Sequence, residues 1–136
     1  LGLAAKISHE NMSEDYKKVK IFKEQFIGNL IQEFPDARVY QSKNALPHIL
    51  SISFPGILGE VILNHLAMHE IYVSTGSACN ASSKKLSATL QAIGFSSNQI
   101  KETIRISMNA HEIPADFKAF FSKFKSSIHE LEKIFI

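Results

Sequence analysis

The chain contains one cysteine, Cys79, in the segment Ser74-Thr75-Gly76-Ser77-Ala78-Cys79-Asn80, with Ala81, Ser82 and Ser83 after it. A lone cysteine is commonly a small buried hydrophobe. Here, however, no neighbour is bulky enough to wall the thiol into a core. Gly76 frees the backbone, and the small side chains admit a close partner. Lys84 and Lys85 follow, just ahead of a predicted helix. The partial positive charge of a helix N-terminus favours an anion by tenths of a kcal/mol to about 1 kcal/mol, and the thiolate is the reactive form of cysteine. The context points to an exposed, nucleophilic thiol; the alternative is an inert cysteine in a surface loop.

Arg105 is the second candidate. It is one of two arginines, with Arg38, and sits between Ile104 and Ile106. In a strand its side chain points away from theirs, and a guanidinium so placed can grip a carboxylate through two parallel hydrogen bonds. A structural ion pair with a glutamate, or a solvated strand face, would account for it equally well, and spacing alone does not choose. His65 and His69 are four residues apart, a spacing that could serve zinc. The sequence suggests no third ligand, so no metal site is assigned and a solvated or core-edge pair is the expectation. No glycine-rich phosphate loop, serine-nucleophile elbow or paired-carboxylate pattern occurs.

These residues must be positioned by an alternation of helices and short strands. Tyr16, Val19, Phe22, Phe26 and Leu30 recur at helical spacing, with Lys17, Lys18, Lys20 and Lys23 largely on other faces; Pro35 ends that helix. Strands are predicted over Ala37 to Gln41 and within His48 to Phe54, where Leu50, Ile52 and Phe54 alternate with serines. Pro55-Gly56 is a turn. A helix starts near Ile57 with Leu58, Val61, Ile62 and Leu66 as its stripe. Ile71-Tyr72-Val73 is expected as a strand, followed by a polar loop from Ser74 to about Ser83. Leu86, Leu90 and Ile93 form a helix capped by Gly94. Ser96 with Gln99 fits a capping box, and Thr103 to Met108 reads as a strand. Pro114 stands where a first helical residue would, ahead of the stripe Phe117, Phe120, Phe121, Phe124, Ile128, Leu131 and Phe135. This order describes an α+β domain with a small, mostly antiparallel sheet packed with helices.

Composition sets outer bounds. The 136 residues suit one domain, and 45% hydrophobic with 21% charged residues is ordinary for a globular one. Ten phenylalanines supply much of the core. A net charge of +2 without a basic stripe argues against nucleic acid, and no apolar run approaches the roughly 20 residues that span a bilayer. A single cysteine excludes an internal disulfide framework and fits a reducing, cytoplasmic setting. The start at Leu1, without Met, reads as a cut inside a longer chain.

The segments Ser74 to Cys79, Leu90-Gln91-Ala92-Ile93-Gly94 and Ile104-Arg105-Ile106-Ser107, in this order, resemble the C-terminal domain of NifS/IscS-like cysteine desulfurases. These belong to the class V aminotransferase family of fold-type I pyridoxal-phosphate enzymes. The likeness extends upstream through Leu46-Pro47, the segment from Leu50 to Gly56, and Gly59-Glu60. It implies that residues 1–136 are the single small C-terminal domain of an enzyme converting L-cysteine to L-alanine. Cys79 would be the catalytic nucleophile that takes the sulfur as a persulfide, for delivery to an acceptor protein or scaffold in iron–sulfur cluster or thiocofactor biosynthesis. Arg105 would bind the substrate α-carboxylate. The family's pyridoxal 5'-phosphate lysine, ring-stacking histidine and phosphate-binding residues lie in the large domain, upstream of Leu1, so this segment alone should neither hold the cofactor nor turn over. The family's homodimer would form through that domain. Met108-Asn109 stands where many members have Leu-Gly; Asn tolerates the left-handed conformation, so a turn after Arg105 is still expected. A selenocysteine lyase or cysteine sulfinate desulfinase of the same family, or a non-catalytic thiol carrier or docking module, are the competing readings.

Overall fold

The structure, a computed structural model, describes residues 1–42, 44–75 and 87–135. It opens with one 32-residue helix, α1 (Gly2–Glu33). Its apolar stripe reaches the core only from Val19 on, through Phe22, Phe26 and Leu30; Tyr16, expected on that stripe, is 42% exposed. Phe34 leaves the helical conformation ahead of Pro35. Its ring then drops into the core edge-on to Phe54, at 5.5 Å. Lys23 departs from its expected polar face. It is 5% exposed, and its ammonium donates to the carbonyls of Ile49 (3.0 Å) and Leu46 (3.4 Å), tying α1 to the entry of a strand. Burial pulls its pKa below the usual lysine value.

The remaining elements are β1 (Arg38–Tyr40), β2 (Ile49–Ser53), α2 (Gly59–Met68), β3 (Ser74–Thr75), α3 (Ala88–Ala92), α4 (Ser97–Lys101), β4 (Thr103–Ser107) and α5 (Phe117–Phe135). The strands form one sheet in the order β1-β2-β4-β3, every pair antiparallel. The expected α+β class with an antiparallel sheet is therefore the one observed. Leu50, Ile52 and Ile104 line one face and are fully buried. Against it pack Ile62 and Leu66 of α2, Phe26 of α1, and Phe124 and Ile128 of α5. Phe26 and Phe124 meet edge to face at 5.2 Å. Burying one such ring contributes roughly 1.5–3 kcal/mol relative to leaving it in water.

Several boundaries differ from the sequence expectation, each for a local reason. The third strand is not Ile71 to Val73 but Ser74–Thr75. Glu70 adopts a left-handed φ of 60°, and the Ile71 N–H still caps the Leu66 carbonyl of α2 in a Schellman closure, so strand pairing starts only beyond it. α2 begins at Gly59; Leu58 is 51% exposed, and the neighbouring Ile57 takes its place in the core. α5 begins at Phe117 rather than Pro114, since the Asp116 carboxylate accepts the Ala119 N–H at 3.0 Å and caps the helix there. Gly94 (φ 91°) closes α3 as expected, and the Ser96–Gln99 capping box is formed. Gly59 permits a close approach. A Cβ there would lie 2.8 Å from the Thr103 carbonyl oxygen, so the absence of a side chain lets the start of α2 rest on the start of β4.

Candidate active site

The face of the sheet turned away from the helical core is polar, and Arg105 sits in its middle. Paired residues on antiparallel strands share a face. Tyr40 is opposite Ser51, Ser51 opposite Arg105, and Arg105 opposite Ser74. One lateral row thus runs Tyr40–Ser51–Arg105–Ser74 across all four strands. The adjacent row, Val39–Ile52–Ile104–Thr75, carries the fully buried Ile52 and Ile104 on the opposite face. Period-two alternation in β4 explains why the guanidinium is exposed while Ile104 is fully buried. Among the described residues Arg105 makes no ion pair with a carboxylate, so the structural-pair reading has no partner there.

The row ends differently at its two edges. At the β1 edge the Tyr40 hydroxyl meets the Ser53 hydroxyl at 2.9 Å, and its ring lies 4.3 Å from that of Phe95. At the β3 edge the Ser74 hydroxyl donates to the Arg105 carbonyl at 3.4 Å. β3 is followed directly by the segment that contains Cys79. Cys79, with Lys84 and Lys85, lies outside the described residues. Three residues separate Thr75 from Cys79, so the four Cα steps between them reach at most about 14 Å when extended. The chain connection, then, places the strand preceding the thiol segment against the strand of Arg105.

After Arg105 the chain turns without a left-handed residue. Asn109 has an ordinary φ; its side-chain oxygen accepts the His111 N–H at 3.1 Å, an Asx-turn doing the work expected of a left-handed Asn. Two clefts flank this turn. One, about 490 Å³, lies between the first half of α1 and the Asn109 turn. The other, about 400 Å³, lies between the chain from Glu70 to Val73 and the end of β4. Neither is lined by lysine or arginine. A pyridoxal-phosphate site needs a lysine and a cationic or N–H-rich phosphate cradle. The buried lysine, Lys23, already spends its ammonium on main-chain carbonyls. The described residues therefore do not fit that cofactor.

His65, in the last turn of α2, and His69, its C-cap, have ring centroids 5.2 Å apart. Sequence reasoning missed Glu130, whose carboxylate meets His65 Nε2 at 3.0 Å across 65 residues of chain. It also missed the hydroxyl-bearing row around Arg105, because both depend on tertiary pairing that no local pattern encodes.

A family model described as aminotransferase class-V matches residues 1–120. A protein of Rickettsia typhi named cysteine desulfurase IscS is 29% identical over 134 residues, covering 98% of this chain and 32% of its own length. A Homo sapiens protein named cysteine desulfurase is 30% identical over 106 residues, 77% of this chain and 23% of its own. Among solved structures, a NifS-like protein from Rickettsia africae superposes with a TM-score of 0.75 at 25% identity, over 97% of this chain and 33% of that one. The chain spans about a quarter to a third of the length of these proteins.

Proposed function

Since this chain belongs to the aminotransferase class-V family, we propose that it is the C-terminal domain of a pyridoxal-phosphate-dependent cysteine desulfurase, with the cofactor held by residues outside this segment. The observation that carries the reading is the position of Arg105, exposed at the centre of a polar row and hydrogen-bonded through its strand to the strand that leads into the Cys79 segment.

The division of labour follows from the chemistry of the two side chains. Arg105 offers a planar, permanently charged fork to the α-carboxylate of L-cysteine, fixing the amino acid by two charge-assisted hydrogen bonds. Ser51 and Ser74 beside it carry no charge that would compete for the guanidinium. Cys79 supplies the sulfur acceptor. The net change balances as L-cysteine plus the Cys79 thiol giving L-alanine plus a Cys79 persulfide: the carbon–sulfur bond of the substrate breaks, a sulfur–sulfur bond forms, and of the two thiol hydrogens one is accounted for on the alanine methyl carbon and the other on the persulfide. The persulfide sulfur then passes to a protein acceptor or scaffold, for iron–sulfur clusters or thiocofactors. A cytoplasmic homodimer completes the proposal.

The test uses the full-length enzyme loaded with cofactor, following alanine release and sulfur transfer from L-cysteine. Cys79→Ala abolishes persulfide on the protein by intact mass and removes transfer to the acceptor. Full acceptor-dependent activity in that variant would overturn the persulfide role. Retained turnover of selenocysteine alone would instead favour a lyase, and persulfide taken up only from an added persulfide donor, with no alanine released from L-cysteine, would favour a thiol carrier.

A further inference from the structure

We propose that His65, His69 and Glu130 form a binding site for one divalent transition-metal ion of the zinc type, an ion that clips α2 to α5. The site does not rest on the desulfurase reading. His65 lies in the last turn of α2 and His69, four residues on, is its C-cap, and their ring centroids are 5.2 Å apart. α5 brings Glu130 to them. One ring nitrogen from each histidine and one Glu130 carboxylate oxygen all lie within 4.8 Å of one another. Zinc binds imidazole nitrogen and carboxylate oxygen at about 2.0–2.2 Å, which puts tetrahedral ligand atoms about 3.4 Å apart. His65 Nε2 and Glu130 are already at 3.0 Å, and rotation of exposed or half-buried side chains closes the remaining gap without moving either helix.

The donor set selects the ion class. Two neutral imidazoles and one carboxylate suit zinc, nickel, copper or cobalt, whereas calcium and magnesium prefer an all-oxygen shell. Three protein ligands leave a fourth position for water. The frame is fixed independently of any ion: Lys123 of α5 pairs with Glu70, just past the end of α2, at 3.3 Å, and the buried Ile62, Leu66, Phe124 and Ile128 lock the same two helices together. Helix α2 also rests on β4 through Gly59, so an ion here stiffens the layer behind Arg105.

Zinc titration of the intact protein by calorimetry, with Cys79→Ser as the background to remove the thiol, tests the site. The expected result is one more equivalent of Zn²⁺ bound in that background than in the His65→Gln/His69→Gln double variant. Glu130→Gln keeps a hydrogen-bonding partner for His65 but loses the anionic ligand, and should weaken that equivalent at least about tenfold. Zinc should raise the thermal midpoint of the Cys79→Ser protein and leave the double variant unmoved, with matching circular dichroism showing that all forms are folded. Equal Zn²⁺ stoichiometry and affinity in the background and the double variant would overturn the proposal, as would Glu130→Gln binding as tightly as the background.

Discussion

The two faces of the sheet are built from alternate residues of the same strands and obey opposite rules. On the inner face Leu50, Ile52 and Ile104 are sealed under three helices. On the outer face Ser51, Arg105 and Ser74 hold equivalent positions one residue away, and Arg105 is exposed. The inner face shares its work among many rings, and each contact is a matter of volume. The outer face carries its charge on arginines, Arg105 at its centre and Arg38 at the β1 edge, and among the described residues Arg105 makes no ion pair with a carboxylate. Losses should therefore separate: stability from the inner face, substrate handling from the outer.

The strongest way to break this separation is Phe124→Ala. The ring is fully buried and contacts Phe26, Phe54 and Phe121. Its removal should cost about 3–5 kcal/mol of unfolding free energy, read as a lower denaturant midpoint at unchanged slope. A loss below about 1 kcal/mol would mean that the inner face is not the close-packed core described here. The matching change on the outer face is Arg105→Gln. Surface substitutions usually move stability by no more than about 0.5 kcal/mol. In the full-length enzyme the same change should remove charge-assisted hydrogen bonds worth about 1.5–3 kcal/mol, a roughly 10- to 150-fold fall in kcat/KM for L-cysteine. Unchanged kcat/KM would return Arg105 to a solvated strand residue.

This contrast also sets what the sequence could reveal. The inner face was legible because period-two and period-3.6 patterns are local: Leu50, Ile52 and Ile104, and the Phe121, Phe124, Ile128 and Leu131 stripe, all fall where they were expected. Caps at Ser96 and Gly94 were legible for the same reason. Arg105's outward orientation followed from its isoleucine neighbours, but the row that surrounds it did not, because Ser51 and Ser74 reach it through ladders that span 54 and 31 residues. The burial of Lys23 is not legible in the sequence, since a helix pattern cannot show that the carbonyls of Leu46 and Ile49 lie beside its flank. β3 was displaced because Glu70 takes a left-handed conformation that its residue type does not advertise. Glu130 is invisible beside His65 for the same reason as the polar row. The Cys79 segment was read from composition and resemblance, and lies outside the described residues.

The smallest expected effect concerns how the inner layer is pinned at its rim. Glu33 at the end of α1 receives His129 Nε2 at 2.7 Å and Lys125 Nζ at 2.9 Å, both from α5, while His129 Nδ1 meets Glu132 at 2.7 Å. The Glu33 hydrogen bond, aided by Glu132 and opposed by partial burial, holds the His129 pKa above its ordinary 6.5. The hydrogen bonds from His129 and then Lys125 hold Glu33 below its ordinary 4.5. The signs are opposite. His129 stabilises fully below about pH 6.5 and loses that contribution as pH rises through its elevated folded value. Glu33 stabilises above about pH 4.5 and loses its share as pH falls through its depressed value. The cluster is therefore strongest between these limits and solvent screens it, so the effect is modest. Between pH 6 and pH 8.5 the thermal midpoint of the parent should fall more steeply than that of His129→Gln. In His129→Gln the Lys125 ammonium still meets Glu33 at 2.9 Å, so Glu33 keeps one partner and the layer stays folded. Parallel profiles for the two proteins would show that the α1–α5 rim is held by Phe34 and its apolar neighbours alone, with nothing added by charge.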